Sequence, residues 1–126
     1  MADSPYGLAP NLPFGEINVL VLTDVHSWVG SHARQEPQYN ADFGHLLSFY
    51  EQLKSHCDKN EMDLWFVSNG DWAHGTGLAG PGDASEFLPI LEKMPWDVVN
   101  CGNHELYESS KVKSMTHPGG FVGKTC

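Results

Sequence analysis

Basic side chains are scarce in this chain: 7 Lys and Arg stand against 16 Asp and Glu, a formal charge of −9. That balance argues against a nucleic acid polymer as the main partner, because neutralising a phosphate backbone takes clustered Lys and Arg. A small phosphorylated substrate stays open, since a bound metal ion can invert the local field. Cysteine is sparse too. Cys57, Cys101 and Cys126 are odd in number and far apart, with no Cys-x-x-Cys pair and no disulfide framework, which favours a reducing compartment. No apolar run approaches the roughly 18 residues of a membrane span. Residues 1–15 carry neither the basic nor the apolar region of a signal peptide, so the chain as given is expected to be soluble and cytoplasmic. There is no internal repeat and no low-complexity tract.

What is present is an ordinary globular composition, 40% hydrophobic over 126 residues, enough for one domain with a core. Residues 1–15, with Pro5, Gly7, Pro10, Pro13 and Gly15, read as an extended lead-in, and residues 16–126 as the folded part. The β-branched and leucine run at 17–23 suits a strand buried on both faces of a parallel sheet. A long polar loop follows over 24–40, then a helix over 41–59 with Phe43, Leu46, Leu47, Tyr50 and Leu53 at spacings of three and four and Asp42 as its cap. A second strand is expected at 62–68 and a glycine-rich loop at 70–82. A helix at 84–94 is opened by Asp83 or Ser85, and a third strand runs over 97–101. A last short helix runs from Leu106 to about Met115, before Pro118-Gly119-Gly120. The order β-α-β-α-β-α predicts an α/β fold with a parallel sheet. Three strands make a small sheet, with a face or an edge left uncovered.

Each predicted strand ends in polar residues, which places them at one edge of the sheet, where open α/β sheets carry their chemistry. The first ends in Asp24-Val25-His26, whose carboxylate and imidazole point to the same side in extended backbone. The second ends in Gly70-Asp71, and the third in Gly102-Asn103-His104-Glu105. The first two are weak alone, since an Asp near a His and a Gly-Asp turn are both common on surfaces. The third is specific: Asn offers a neutral oxygen, His a proton donor or ligand, and Gly permits close backbone approach. Together these groups suit borderline-hard divalent ions, and two such ions about 4 Å apart clamp a phosphoryl group.

In order and spacing, Asp24-x-His26, Gly70-Asp71 and Gly102-Asn103-His104-Glu105 resemble the signature of the calcineurin-like metallophosphoesterase superfamily. Within it, Gly70-Asp71-Trp72-Ala73-His74-Gly75-Thr76 is similar to the Gly-Asp-x-x-x-Gly-Thr stretch of 5′-nucleotidases. The resemblance spans roughly residues 17–110. It implies half of a four-layer α/β/β/α sandwich and a hydrolase of phosphoric esters, with a small phosphorylated substrate, a nucleotide in the first instance. It also implies two divalent ions in the complete enzyme, Mn, Zn, Fe or Mg, which activate a hydroxide for in-line attack. In the roles that it implies, Asp24 and His26 hold the first metal, Asp71 bridges both, and Asn103 holds the second. His104 stabilises the transferring phosphoryl group or protonates the leaving oxygen, and Glu105 orients the loop.

Two departures stand out. Relatives complete their metal sites with later histidines, two of them in a Gly-His-x-His motif. Here that motif is missing and His117 is the one later histidine, so at most one weak metal site and a truncated catalytic domain are expected. Many 5′-nucleotidases pair the catalytic His with an Asp three residues on. Tyr107 stands there instead, with Glu108 as a possible substitute. His74 and Arg34 are weak candidates for substrate contact, and solvated or packed side chains are the simpler reading of both. Trp28, Trp72 and Tyr107 could line a pocket, although aromatic packing under long loops explains them as well. Nucleotidase relatives are often exported, but no export signal is visible. The competing reading is a non-catalytic module that binds one metal ion or phosphate.

Overall fold

Three apolar runs pair into one parallel sheet. The computed structural model describes residues 12–31, 36–38, 40–75, 77–78, 84–116 and 121. In it β1 (Ile17–Leu22), β2 (Asp63–Ser68) and β3 (Val98–Val99) lie in the order β1-β2-β3. β1 and β2 pair from Ile17↔Asp63 to Leu22↔Ser68, and β2 meets β3 at Val67↔Val98 and Ser68↔Val99. β3 is shorter than the expected 97–101, yet pairing continues past its ends. The Asp97 N–H donates to the Phe66 carbonyl and the Asn100 N–H to the Ser68 carbonyl, each at 2.8 Å. All three strands run the same way, so their carboxyl ends share one edge.

Helix α1 (Phe43–Lys59) follows the predicted stripe and begins where its cap requires. The Asp42 carboxylate accepts the His45 N–H at 2.9 Å, and the His45 ring accepts the Asp42 N–H in return. Leu53 and Cys57 of α1 are buried. Tyr50 stacks on Phe66 of β2 at a ring separation of 4.9 Å, and Trp96 covers Phe66 from a separation of 4.2 Å. Phe66 is fully buried, a burial worth about 1.5–3 kcal/mol.

The two later helices differ from expectation. Only Leu88–Leu91 is helical in the 84–94 stretch (α2), because Ala84 adopts a left-handed φ of 65° and the N-cap residue, Phe87, makes no side-chain capping bond. Ser85 is therefore not the cap, and Asp83 lies outside the described residues. The third helix does not start at Leu106. A 3-10 turn at His104–Leu106 comes first, and α3 (Ser109–Thr116) follows. The turn is anchored by the buried Glu105 carboxylate rather than by apolar periodicity. The main core lies under the loops beyond the strand tips and contains Trp72, Phe87, Leu88, Leu91, Met115 and Phe121.

The expectation that β1 is buried on both faces fails in this structure. Ile17, Val19 and Val21 of β1 are 68%, 57% and 53% exposed, and Trp65 of β2 and Val98 of β3 lie open beside them. Parallel sheets are as a rule covered on both faces, and no described residue covers this one. Among the described residues, no helix is long and apolar enough to cross a membrane.

Candidate functional site

Hydrogen bonds hold the tips of β1 and β2 together after the strands end. The Asp24 N–H donates to the Gly70 carbonyl at 3.1 Å, and the His26 and Ser27 N–H groups donate to the Asp71 and Trp72 carbonyls at 2.9 Å. The backbone here is not extended. Asp24, His26 and Asp71 have φ of 55°, 50° and 57°, a left-handed conformation that costs non-glycine residues energy and concentrates at functional sites. Asp24 and His26 do face one point, with Nε2 of His26 3.9 Å from Oδ1 of Asp24. They reach it through this coiled turn and not through the alternation of a strand.

Asp24, His26 and Asp71 bring one ligand atom each within 4.8 Å of one another. Asp24 is the exposed member, while His26 and Asp71 lie deeper. Thr23 Oγ1 donates to Asp24 Oδ2 at 2.5 Å. His26 Nδ1 lies 2.9 Å from the carbonyl oxygen of His74. A carbonyl only accepts, so Nδ1 carries the proton and the Nε2 lone pair is free on the Asp24 side. Two carboxylates and an imidazole oriented by a second hydrogen bond fit a divalent ion.

The third tip is locked to the second. The Asp71 carboxylate accepts the His104 N–H at 2.8 Å. The fully buried Glu105 carboxylate accepts four main-chain N–H groups: Asp71 at 2.6 Å, Trp72 and Gly102 at 2.8 Å, and Ala73 at 2.9 Å. Gly70 and Gly102 make this approach possible. A Cβ at Gly102 would collide with the Asp71 carboxylate, and one at Gly70 with the Gly102 backbone.

Asn103 opens the 3-10 turn, and its Nδ2 donates to the Tyr107 hydroxyl at 2.6 Å, while among the described residues nothing bonds its Oδ1. The His104 ring stands 4.6 Å from the His26 ring, edge to face. His74, a weak substrate-contact candidate from sequence, sits against His104 with the two Nδ1 atoms 2.9 Å apart. Glu108, a possible partner for His104 by sequence, is turned instead to the buried Lys111, with 3.0 Å between Oε1 and Nζ. Trp72 is buried in the core, whereas Tyr107 is exposed beside His104. Cys101 is half-buried. Arg34, Thr76 and His117 lie outside the described residues. The contact between His74 and His104 had no signal in the sequence beyond the position of His74 in the loop after Asp71.

A profile of the Calcineurin-like phosphoesterase family matches residues 17–124. The chain belongs to that family. An uncharacterized protein of Schizosaccharomyces pombe is 36% identical over 108 residues, which cover 84% of this chain and 18% of that protein. A protein of Arthroderma benhamiae named as secreted is 33% identical over 76% of this chain and 15% of its own length. The crystal structure of 5′-nucleotidase from Candida albicans superposes with a TM-score of 0.75 at 32% identity, over 82% of this chain and 19% of that one. The chain thus spans less than a fifth of the length of each of these proteins. The α/β architecture and parallel sheet are those of a metallophosphoesterase fold fragment.

Proposed function

We propose that this phosphoesterase-family chain contributes the catalytic edge of a metal-dependent hydrolase of phosphoric esters, with nucleoside monophosphates as the substrate class. Residues 16–126 are then the N-terminal portion of its catalytic domain. The observation that carries the reading is the convergence of Asp24, His26 and Asp71 on one point, with His104 beside them. Asp24, His26 and Asp71 would hold one divalent ion, and Asp71 with Asn103 would contribute to a second. When bound, the ions supply Lewis-acid polarisation of the phosphoryl oxygens and activation of water. His104 offers an imidazole N–H to a phosphoryl oxygen or to the leaving oxygen. Glu105 ties the second and third tips together, so that an ion held by Asp71 and the imidazole of His104 would act on the same phosphoryl group. The resemblance of residues 70–76 to the 5′-nucleotidase stretch and the likeness to the Candida enzyme favour nucleotides.

Phosphate release from nucleoside 5′-monophosphates by the full-length protein with Mn²⁺, Zn²⁺ or Mg²⁺ tests the reading. Turnover should vanish on chelation and in Asp71→Asn. Turnover that survives both overturns the proposal. Metal binding without turnover of any phosphoester marks the alternative, a non-catalytic module that holds one ion.

A further inference from the structure

We infer that His74 is the positioning residue of His104, and that a histidine pair replaces the histidine–carboxylate pair of many 5′-nucleotidases. The inference rests on the phosphoesterase reading of the site. Three observations carry it. The position three residues after His104 holds Tyr107, whose hydroxyl is engaged by Asn103 at 2.6 Å. Glu108 is engaged by Lys111. His104 Nδ1 instead meets His74 Nδ1 at 2.9 Å. That separation is within hydrogen-bond range, and together with His26 the two rings also bring ligand atoms within 4.8 Å of one another, a set that could hold an ion.

The direction of the bond follows from the work His104 has to do. With Nδ1 occupied, Nε2 is the ring nitrogen left to meet a phosphoryl oxygen, and it can donate only if it carries the proton. In the neutral ring Nδ1 is then an acceptor, so His74 Nδ1–H is the donor. One residue thereby orients two rings, because the His74 carbonyl also accepts from His26 Nδ1 at 2.9 Å and sets that tautomer. His74 sits in the loop after Asp71 and is half-buried, with Tyr107 edge-on at 5.9 Å. Packing alone would hold the ring in place but would not choose a tautomer.

The deciding measurement is the long-range ¹H–¹⁵N spectrum of the histidine side chains in the full chain without metal. In the native protein His104 should show a single tautomer, protonated at Nε2, and His74 should be protonated at Nδ1. In His74→Phe, which keeps a ring of similar size, His104 should become a mixture of tautomers. His74→Asn, whose amide N–H reaches the same place, should restore the single form. An unchanged His104 tautomer in His74→Phe, or a native His104 protonated at Nδ1, overturns the inference. As a second arm, kcat for a nucleoside 5′-monophosphate should fall by about 10- to 100-fold in His74→Phe with KM little changed, and recover in His74→Asn. Absence of turnover in the native protein counts against the phosphoesterase reading, while the spectrum still decides the pairing.

Discussion

The Glu105 carboxylate accepts the main-chain N–H of Asp71 at 2.6 Å, from a side chain with no solvent exposure. Through this bond the third strand tip sets the position of the second. The same carboxylate also takes the N–H groups of Trp72, Ala73 and Gly102, so its removal strands four donors, those of Trp72 and Ala73 in buried places. Glu105→Ala should cost about 3 kcal/mol or more, since each bond to a charged acceptor is worth about 1.5–3 kcal/mol and the four do not add. Urea unfolding followed by far-UV circular dichroism measures it. Glu105→Gln should also destabilise, because its NH₂ would face N–H donors. A loss under 1 kcal/mol in Glu105→Ala would show that the N–H groups find other partners.

Asp71→Asn removes a charge from the point where Asp24, His26 and Asp71 converge. Metal affinity should drop in calorimetric titrations, and hydrolysis should fall by on the order of 100-fold or more, as expected when several kcal/mol of Lewis-acid stabilisation are lost. The fold should survive, because the bond from the His104 N–H to Oδ1 can be kept by the amide oxygen.

Gly102→Ala tests the close packing of the tips. The added Cβ meets the Asp71 carboxylate, so the loop must shift. Overpacking of this kind costs about 1–3 kcal/mol, and the displaced Asp71 should weaken metal binding in the same variant. Gly30, where a Cβ meets nothing within 4 Å, is the control, and Gly30→Ala should leave both quantities near native.

The cap of α1 predicts an acid-dependent term. The His45 N–H, ahead of its side chain, holds the Asp42 carboxyl below its ordinary value. Because the folded value is depressed, the contribution is present above the unfolded pKa of about 3.9 and fades as pH falls through the folded value. Asp42→Asn keeps a capping oxygen but cannot titrate. The native chain should therefore lose more thermal stability between about pH 4 and pH 2.5 than this variant does, as read by melting at 222 nm.

The three parallel strands, the α1 cap at Asp42 and the polar residues at the strand tips are all legible in the amino-acid sequence. Each follows from a short-range pattern: an apolar run, a helical stripe with a capping residue, or a glycine beside a carboxylate. The family signature is legible there too, since Asp24-x-His26, Gly70-Asp71 and Gly102-Asn103-His104-Glu105 are local motifs. Periodicity failed where a single long-range contact governs the backbone. α3 begins at Ser109 because Glu105 is drawn into the loop after β2, and α2 is cut short by the left-handed Ala84. Burial of β1 departs from its apolar pattern for a related reason, as an apolar run shows that a cover is needed and not where the cover comes from. Tertiary structure alone decided how the tips meet: the left-handed turns at Asp24, His26 and Asp71, the four N–H groups gathered by Glu105, and the contact of His74 with His104. Residues 30 positions apart share a hydrogen bond only once the sheet has aligned its strand ends, and no local pattern records that alignment.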